Sequence, residues 1–213
     1  VSNIFREIDE ELRRDNLLKL WSRYGRYVVA VAVVALIIAG CVVAWQAHQL
    51  SERRAQSARY AGALALARAG KTTDAATVFA SIAREGGGYS ILASFEDAAL
   101  LAMAGDHKGA VAIYDSIADS SSVDPAFRDL ALVLSVMQST PEANPQATIT
   151  RLAPLTAPGN PWRPTAVELT AAAKLKLGEA KAALALYKSL ADDLAAPRSL
   201  RARAAEMAAA LAL

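Results

Sequence analysis

Residues 27–47 contain no Asp, Glu, Lys or Arg and consist mostly of Val, Ala, Ile and Leu. Wound as a helix rising ~1.5 Å per residue, the stretch is about 30 Å long, the thickness of a bilayer's hydrocarbon core. Its ten Val, Leu and Ile side chains favour insertion by about 3–6 kcal/mol, with no central charge to offset them. The β-branched residues are no obstacle, because in lipid only a helix lets one segment satisfy its own backbone groups. The chain therefore divides into a head (1–26), a transmembrane helix (27–47) and a tail (48–213).

The tail is long enough for one domain with a real core. It is rich in alanine and poor in alternating Thr/Val/Ile patterns, which predicts close-packed helices and an all-α fold. The formal net charge is +2, from 23 basic and 21 acidic residues of the whole chain. Both signs are scattered, so no basic stripe suits nucleic acid. The one cysteine, Cys41, lies in the span, so the tail forms no disulfide.

In the head, Asn3 can cap a helix along which Phe5, Ile8 and Leu12 fall at helical spacing among charged residues. That pattern predicts an amphipathic helix. Trp21, Tyr24 and Tyr27 stand at one end of the span and Trp45 at the other, where interfacial aromatic belts belong. Arg6, Arg13, Arg14, Lys19, Arg23 and Arg26 precede the span, whereas only Arg53, Arg54 and Arg59 follow it closely. The bias predicts a cytoplasmic head, and a periplasmic tail in a double-membrane bacterium. Ile38, Ala39, Gly40 and Cys41 also match a lipobox. A lipoprotein signal has an apolar region of only about 7–15 residues, and here Val42, Val43, Ala44 and Trp45 carry the run further. A retained span is therefore expected, and intact mass distinguishes the two.

The tail repeats. Gly70, Gly105 and Gly178 each end an Ala- and Leu-rich run. Seven residues before them stand Ala63, Ala98 and Ala171, and five after them Ala75, Ala110 and Ala183. Nine after come Phe79, Tyr114 and Tyr187; twelve after come Ile82, Ile117 and Leu190; thirteen after, Ala83, Ala118 and Ala191. Glycine permits the tight turn between antiparallel helices, the small alanines let the two backbones approach, and the aromatic fills the space toward the next hairpin. The pattern resembles the tetratricopeptide repeat, a helix–turn–helix unit of about 34 residues. It departs from it in having Arg59 at the first copy's tryptophan position and in moving the usual alanine from plus twelve to plus thirteen. The gap from Gly105 to Gly178 leaves room for a degenerate unit. Hairpins are thus expected over 46–69 with 73–84, 89–104 with 108–118, and 165–177 with 180–194. Gly86, Gly87 and Gly88 form a flexible link. Asp124 caps a helix with Pro125 at its first position, a short helix and rigid loop fill the proline-rich 140–164, and 199–213 closes the stack.

No catalytic set emerges. His48 and His107 stand apart from metal-ligand neighbours, and Cys41 has no basic partner. The adjacent acids Glu96–Asp97 and Asp192–Asp193 do not face each other on a helix. No metal, cofactor or enzymatic activity is expected. Binding remains. In repeats of this class the first helix of each hairpin lines the concave face. Counted from the glycines, that face comprises Tyr60, Leu64 and Arg68, then Leu92, Phe95, Ala99 and Met103, then Glu168, Ala172, Leu175 and Lys176. The plainer reading makes these side chains core between repeats; the functional one makes them a groove for an extended or partly folded polypeptide.

The whole layout resembles one family. It has the head Phe-Arg-Glu-Ile-Asp-Glu-Glu-Leu-Arg-Arg at 5–14 and Trp21-Ser22-Arg23-Tyr24-Gly25 before a single span. A Gly105–Asp106 turn and Arg128-Asp129-Leu130-Ala131 follow. These features are similar to the YfgM-like family, ancillary subunits of the bacterial SecYEG translocon. The resemblance implies a single-pass inner-membrane protein with a periplasmic repeat domain. Its partners would be the translocon, a membrane-anchored periplasmic chaperone and secreted polypeptides passing onward, in addition to membrane lipids. The alternative is a structural accessory or assembly subunit of another inner-membrane complex, such as a respiratory one.

Overall fold

A computed structural model describes the backbone of residues 2–139 and 143–212, and the side chains of 23–27, 29–31, 33–139 and 143–212. Among the described residues all regular structure is helical. The order is α1 (Ser2–Arg68), α2 (Thr72–Glu85), α3 (Ser90–Met103), α4 (His107–Ala118), α5 (Pro125–Gln138), α6 (Pro145–Leu152), a 3-10 turn (Ala153–Thr156), α7 (Arg163–Lys176), α8 (Ala180–Asp192) and α9 (Arg198–Leu211). The chain forms two compact units, Val1–Ala55 and Gln56–Leu213.

The described residues of the first unit lie within α1. Its described apolar side chains are bare: Val31 is 68% exposed, Leu36 73% and Val43 64%. This is the one helix among the described residues long and apolar enough to cross a membrane by length and composition. The expected amphipathic face of the head, with Phe5, Ile8 and Leu12, lies outside the described side chains, as does Trp21.

The second unit is a stack of hairpins. The C-terminal part of α1 pairs with α2, α3 with α4, α5 with α6 and α7 with α8, and α9 closes the described stack. The three turn glycines have φ of +76°, +85° and +77° at Gly70, Gly105 and Gly178, a region costly for any residue with a Cβ. At each, the following N–H reaches back five residues: Lys71 to Leu66 O, Asp106 to Leu101 O and Glu179 to Lys174 O. This closes the preceding helix with a Schellman motif. The alanines at minus seven and plus five, Ala63, Ala98, Ala171, Ala75, Ala110 and Ala183, are all essentially inaccessible. Phe79, Tyr114 and Tyr187 are buried behind them. The spacing in the sequence is thus the packing of the hairpins.

The degenerate unit is α5–α6. It has no glycine turn. Asp124 caps α5 by accepting from Ala126 N at 2.8 Å, with Pro125 in the first turn. Asn144 caps α6 by accepting from Gln146 N at 2.9 Å, and α6 is only 8 residues long. The short helix is held partly by polar bonds: Arg151 Nη2 and Ser135 Oγ both donate to Asp115 Oδ1 at 2.5 Å. The segment expected to begin a helix at Thr165 begins earlier, at Arg163, because Pro164 suits a first turn, where its missing N–H is not needed. The glycine link before α3 is also tethered rather than merely flexible, since Gln56 Nε2 donates to Gly86 O at 3.1 Å and Tyr89 O–H to Ser57 Oγ at 3.1 Å.

Candidate binding face

On α1, Tyr60 and Leu64 are half-buried and packed against a cluster of Ala63, Phe79, Ile82 and Leu100. The Tyr60 ring meets Phe79 edge-on at 5.4 Å and Tyr89 at 5.3 Å. Its hydroxyl donates to Glu96 Oε1 at 3.2 Å. Burial, and then the Glu96 charge, push the Tyr60 hydroxyl above its ordinary pKa. On α3, Phe95 is half-buried, with its ring 5.9 Å from Tyr114 and 6.2 Å from Phe127. On α7, Leu175 packs against the cluster around Tyr187 and Leu200, and Glu168 is held by Arg203 from α9 through two bonds of 2.9 Å. Tyr60, Leu64, Phe95 and Leu175 therefore belong in large part to the contacts between helices.

Part of the face is open. Arg68 is exposed, Leu92 is 38% exposed and Met103 79%. On α5, Phe127 at 39% and Met137 at 57% are also exposed, two residues that counting from turn glycines could not reach. The signal for them was the Asp124–Pro125 helix start: Phe127 follows the first residue of α5 by two positions, as Leu92 follows that of α3. The Phe95 and Phe127 rings bring α3 and α5 into contact. Ala172 and Lys176 line a small cavity of about 90 Å³ between α5, α6 and α7.

Two larger grooves lie elsewhere. One of about 500 Å³ lies open between α2, α3 and α4, with Asp97, Ile113 and Ser116 in its lining. Another of about 470 Å³ runs between the C-terminal part of α1 and α2. Burial raises the Asp97 carboxyl above its ordinary pKa, while the Arg84 charge acts to lower it. The adjacent acids are used separately: Glu96 accepts from Tyr60, and Asp193 from Arg163 at 2.7 Å. His107 Nδ1 lies 3.0 Å from Gln138 Oε1. No group of three or more His, Cys, Asp or Glu among the described residues is placed to hold a metal ion.

At the other unit, Tyr24, Tyr27 and Trp45 are 51%, 56% and 66% exposed. The Arg26 guanidinium lies 4.8 Å above the Tyr27 ring and donates to its hydroxyl at 3.1 Å.

Comparison with known proteins bears on the stack as a whole. No curated protein and no solved structure matches the chain significantly. The family described as Tetratricopeptide repeat-like domain matches residues 19–194, a span that takes in all three glycine-turn hairpins and the degenerate one between them. With the glycine turns, buried alanines and aromatic wedges all in place, the chain belongs to the tetratricopeptide repeat-like domain family.

Proposed function

We propose that this protein is a membrane-anchored binding module, held by residues 27–47, whose repeat domain engages other polypeptides outside the cytoplasm. Its family fold supports the coarse part of that reading, since helical-repeat stacks present extended surfaces to other proteins. The observation that carries it further is the exposure of the apolar side chains Leu92 and Met103 on α3 and Phe127 and Met137 on α5, the first helices of adjacent hairpins. Methionine and aromatic side chains on such a face adapt to varied apolar segments. The resemblance of the head, span and turn motifs to ancillary SecYEG subunits supplies the candidate setting. The protein would act there as an adaptor or chaperone beside the translocon and a membrane-anchored chaperone, receiving secreted chains. No catalytic role is part of the proposal.

The test uses the full chain at native level, extracted in mild detergent after crosslinking, with mass spectrometry of all retained proteins. Translocon subunits together with secretory precursors are the expected result. Met103→Asp and Leu92→Asp, both at open positions, should reduce precursor capture without lowering Tm. A single stoichiometric complex with no precursors overturns the adaptor reading and makes the chain an accessory subunit.

A further inference from the structure

Two hairpins place a glutamate in like surroundings. Glu96 stands nine residues before the turn glycine Gly105, and Glu168 ten before Gly178. Each lies near the wedge tyrosine of its own hairpin. Burial, and then the Glu96 charge, push the Tyr114 hydroxyl above its ordinary pKa, and burial, then Glu168, do the same to Tyr187. On α7 the carboxylate has its cation: Arg203 of α9 donates through Nε and Nη2, one bond of 2.9 Å to each oxygen of Glu168. On α3 it has none. The adjoining helix α5 turns the Phe127 ring toward Phe95, and among the described residues Glu96 belongs to no ion pair.

Other acids at helix contacts are neutralised within the fold. Glu85, Asp115 and Asp193 each meet an arginine of another helix, and Asp97, next in the chain, feels the Arg84 charge. Glu96 has only a neutral donor: the Tyr60 hydroxyl reaches Oε1 at 3.2 Å. Oε2 accepts no bond among the described residues and keeps contact with solvent. A carboxylate of this kind has lone pairs left for further donors. By helical spacing Leu92, Glu96, Ala99 and Met103 share one stripe of α3, so the half-buried acid sits between the exposed Leu92 and Met103. A partly desolvated charge there gains more from an opposite charge than it would in open water.

We propose that Glu96 is the anchor on the polypeptide-binding face for a cationic side chain, Arg or Lys, of the bound segment. Arg203 on Glu168 gives the geometry: a guanidinium laid across both carboxylate oxygens, the planar bidentate pair that arginine favours. The guest carries its basic residue between apolar ones, which lie over Leu92 on one side and Met103 on the other. This assignment rests on the binding face proposed above and adds what that face selects. An acidic segment would set a like charge against Glu96 and is disfavoured.

The test uses the full chain in nanodiscs of phosphatidylcholine, whose headgroups carry no net charge, with empty nanodiscs as the blank. Three peptides bear the same neutral dye and the same Leu, Phe, Ala and Ser residues, and differ in having Arg, citrulline or Glu at one central position. Citrulline keeps the shape of arginine without its charge. Fluorescence anisotropy should rank them Arg, citrulline, Glu, with Arg about tenfold tighter than citrulline. Glu96→Gln, which keeps an acceptor for Tyr60, should abolish the Arg preference with an unchanged melt, and Glu96→Arg should favour the Glu peptide. Asp97→Asn should leave the ranking as it is. Equal binding of the Arg and citrulline peptides by the unaltered chain, or an Arg preference that survives Glu96→Gln, overturns the cation site while the binding face stands. Binding of none of the three overturns the face as well.

Discussion

Asp97 and Glu85 show how two carboxylates in neighbouring helices respond oppositely to acid. Burial holds the Asp97 pKa above its ordinary value, with Arg84 pulling the other way. The folded state therefore binds that proton more tightly than the unfolded state does. Ionised Asp97 opposes folding at neutral pH, and the penalty disappears as pH falls below its folded pKa. Asp97→Asn should raise Tm at pH 7, with the gain shrinking toward pH 4. Hydrogen bonds from Arg59 and Ser81 hold Glu85 below its ordinary pKa. Its contribution is present above the ordinary carboxylate range and is lost as pH falls through the lowered value. Glu85→Gln should lower Tm slightly at pH 7 and have no effect in strong acid. Thermal melts of both variants across this pH range check the signs. Among apolar residues the contrast is between Phe79, inaccessible to solvent, and Met103, 79% exposed. Phe79→Ala should cost about 3–5 kcal/mol in urea unfolding, whereas Met103→Ala should stay within about 0.5 kcal/mol.

At the scale of elements, glycine position decides the sign of a substitution. Gly105 has φ +85° at a Schellman turn, so Gly105→Ala should destabilise by about 1–2 kcal/mol. Gly62 sits inside α1 with open space at its Cβ. Gly62→Ala should therefore stabilise by about 0.5–1 kcal/mol. Denaturant midpoints of the two variants provide the comparison. The same local character made three hairpins readable from sequence. A turn glycine, alanines at fixed offsets and one aromatic wedge act within a single hairpin, so their spacing survives in the chain. The third hairpin replaced its glycine turn with Asn144, Pro145 and a polar staple. Its α5 is legible from Asp124 and Pro125, but no turn glycine gives a count from which to reach its exposed Phe127 and Met137. How deeply Tyr60 and Phe95 sit also depends on rings from elsewhere in the chain, Tyr89 in the link before α3 and Phe127 on α5. That distance in sequence is why no spacing rule separated their core role from a binding role.

At the scale of the molecule, the bare apolar side chains of the first unit and the packed clusters of the second make opposite demands on solvent. If α1 is anchored as proposed, the full chain should remain with membranes through alkaline carbonate washing and be released by detergent. Removing 27–47 should send the repeat domain to the soluble fraction with its melting transition retained. Fractionation with antibody detection and a melt of the released domain make both checks.

Within the second unit, apolar side chains gather in separate clusters rather than in one central core. The cluster around the degenerate hairpin has only Val133, Leu152, Leu155 and Ala166 as its buried members. What ties α6 back to α4 and α5 is the Asp115–Ser135–Arg151 junction, where Asp115 and Arg151 are each about one-third exposed. A one-dimensional stack opens at its weakest neighbour-to-neighbour joint. Under mild denaturant, amide hydrogens on either side of that joint should therefore exchange as two cooperative blocks, one ending near Gln138 and the other beginning near Pro145. The loss of a glycine turn would then act as a fracture line: the helices after α5 could loosen while those before it kept their shape.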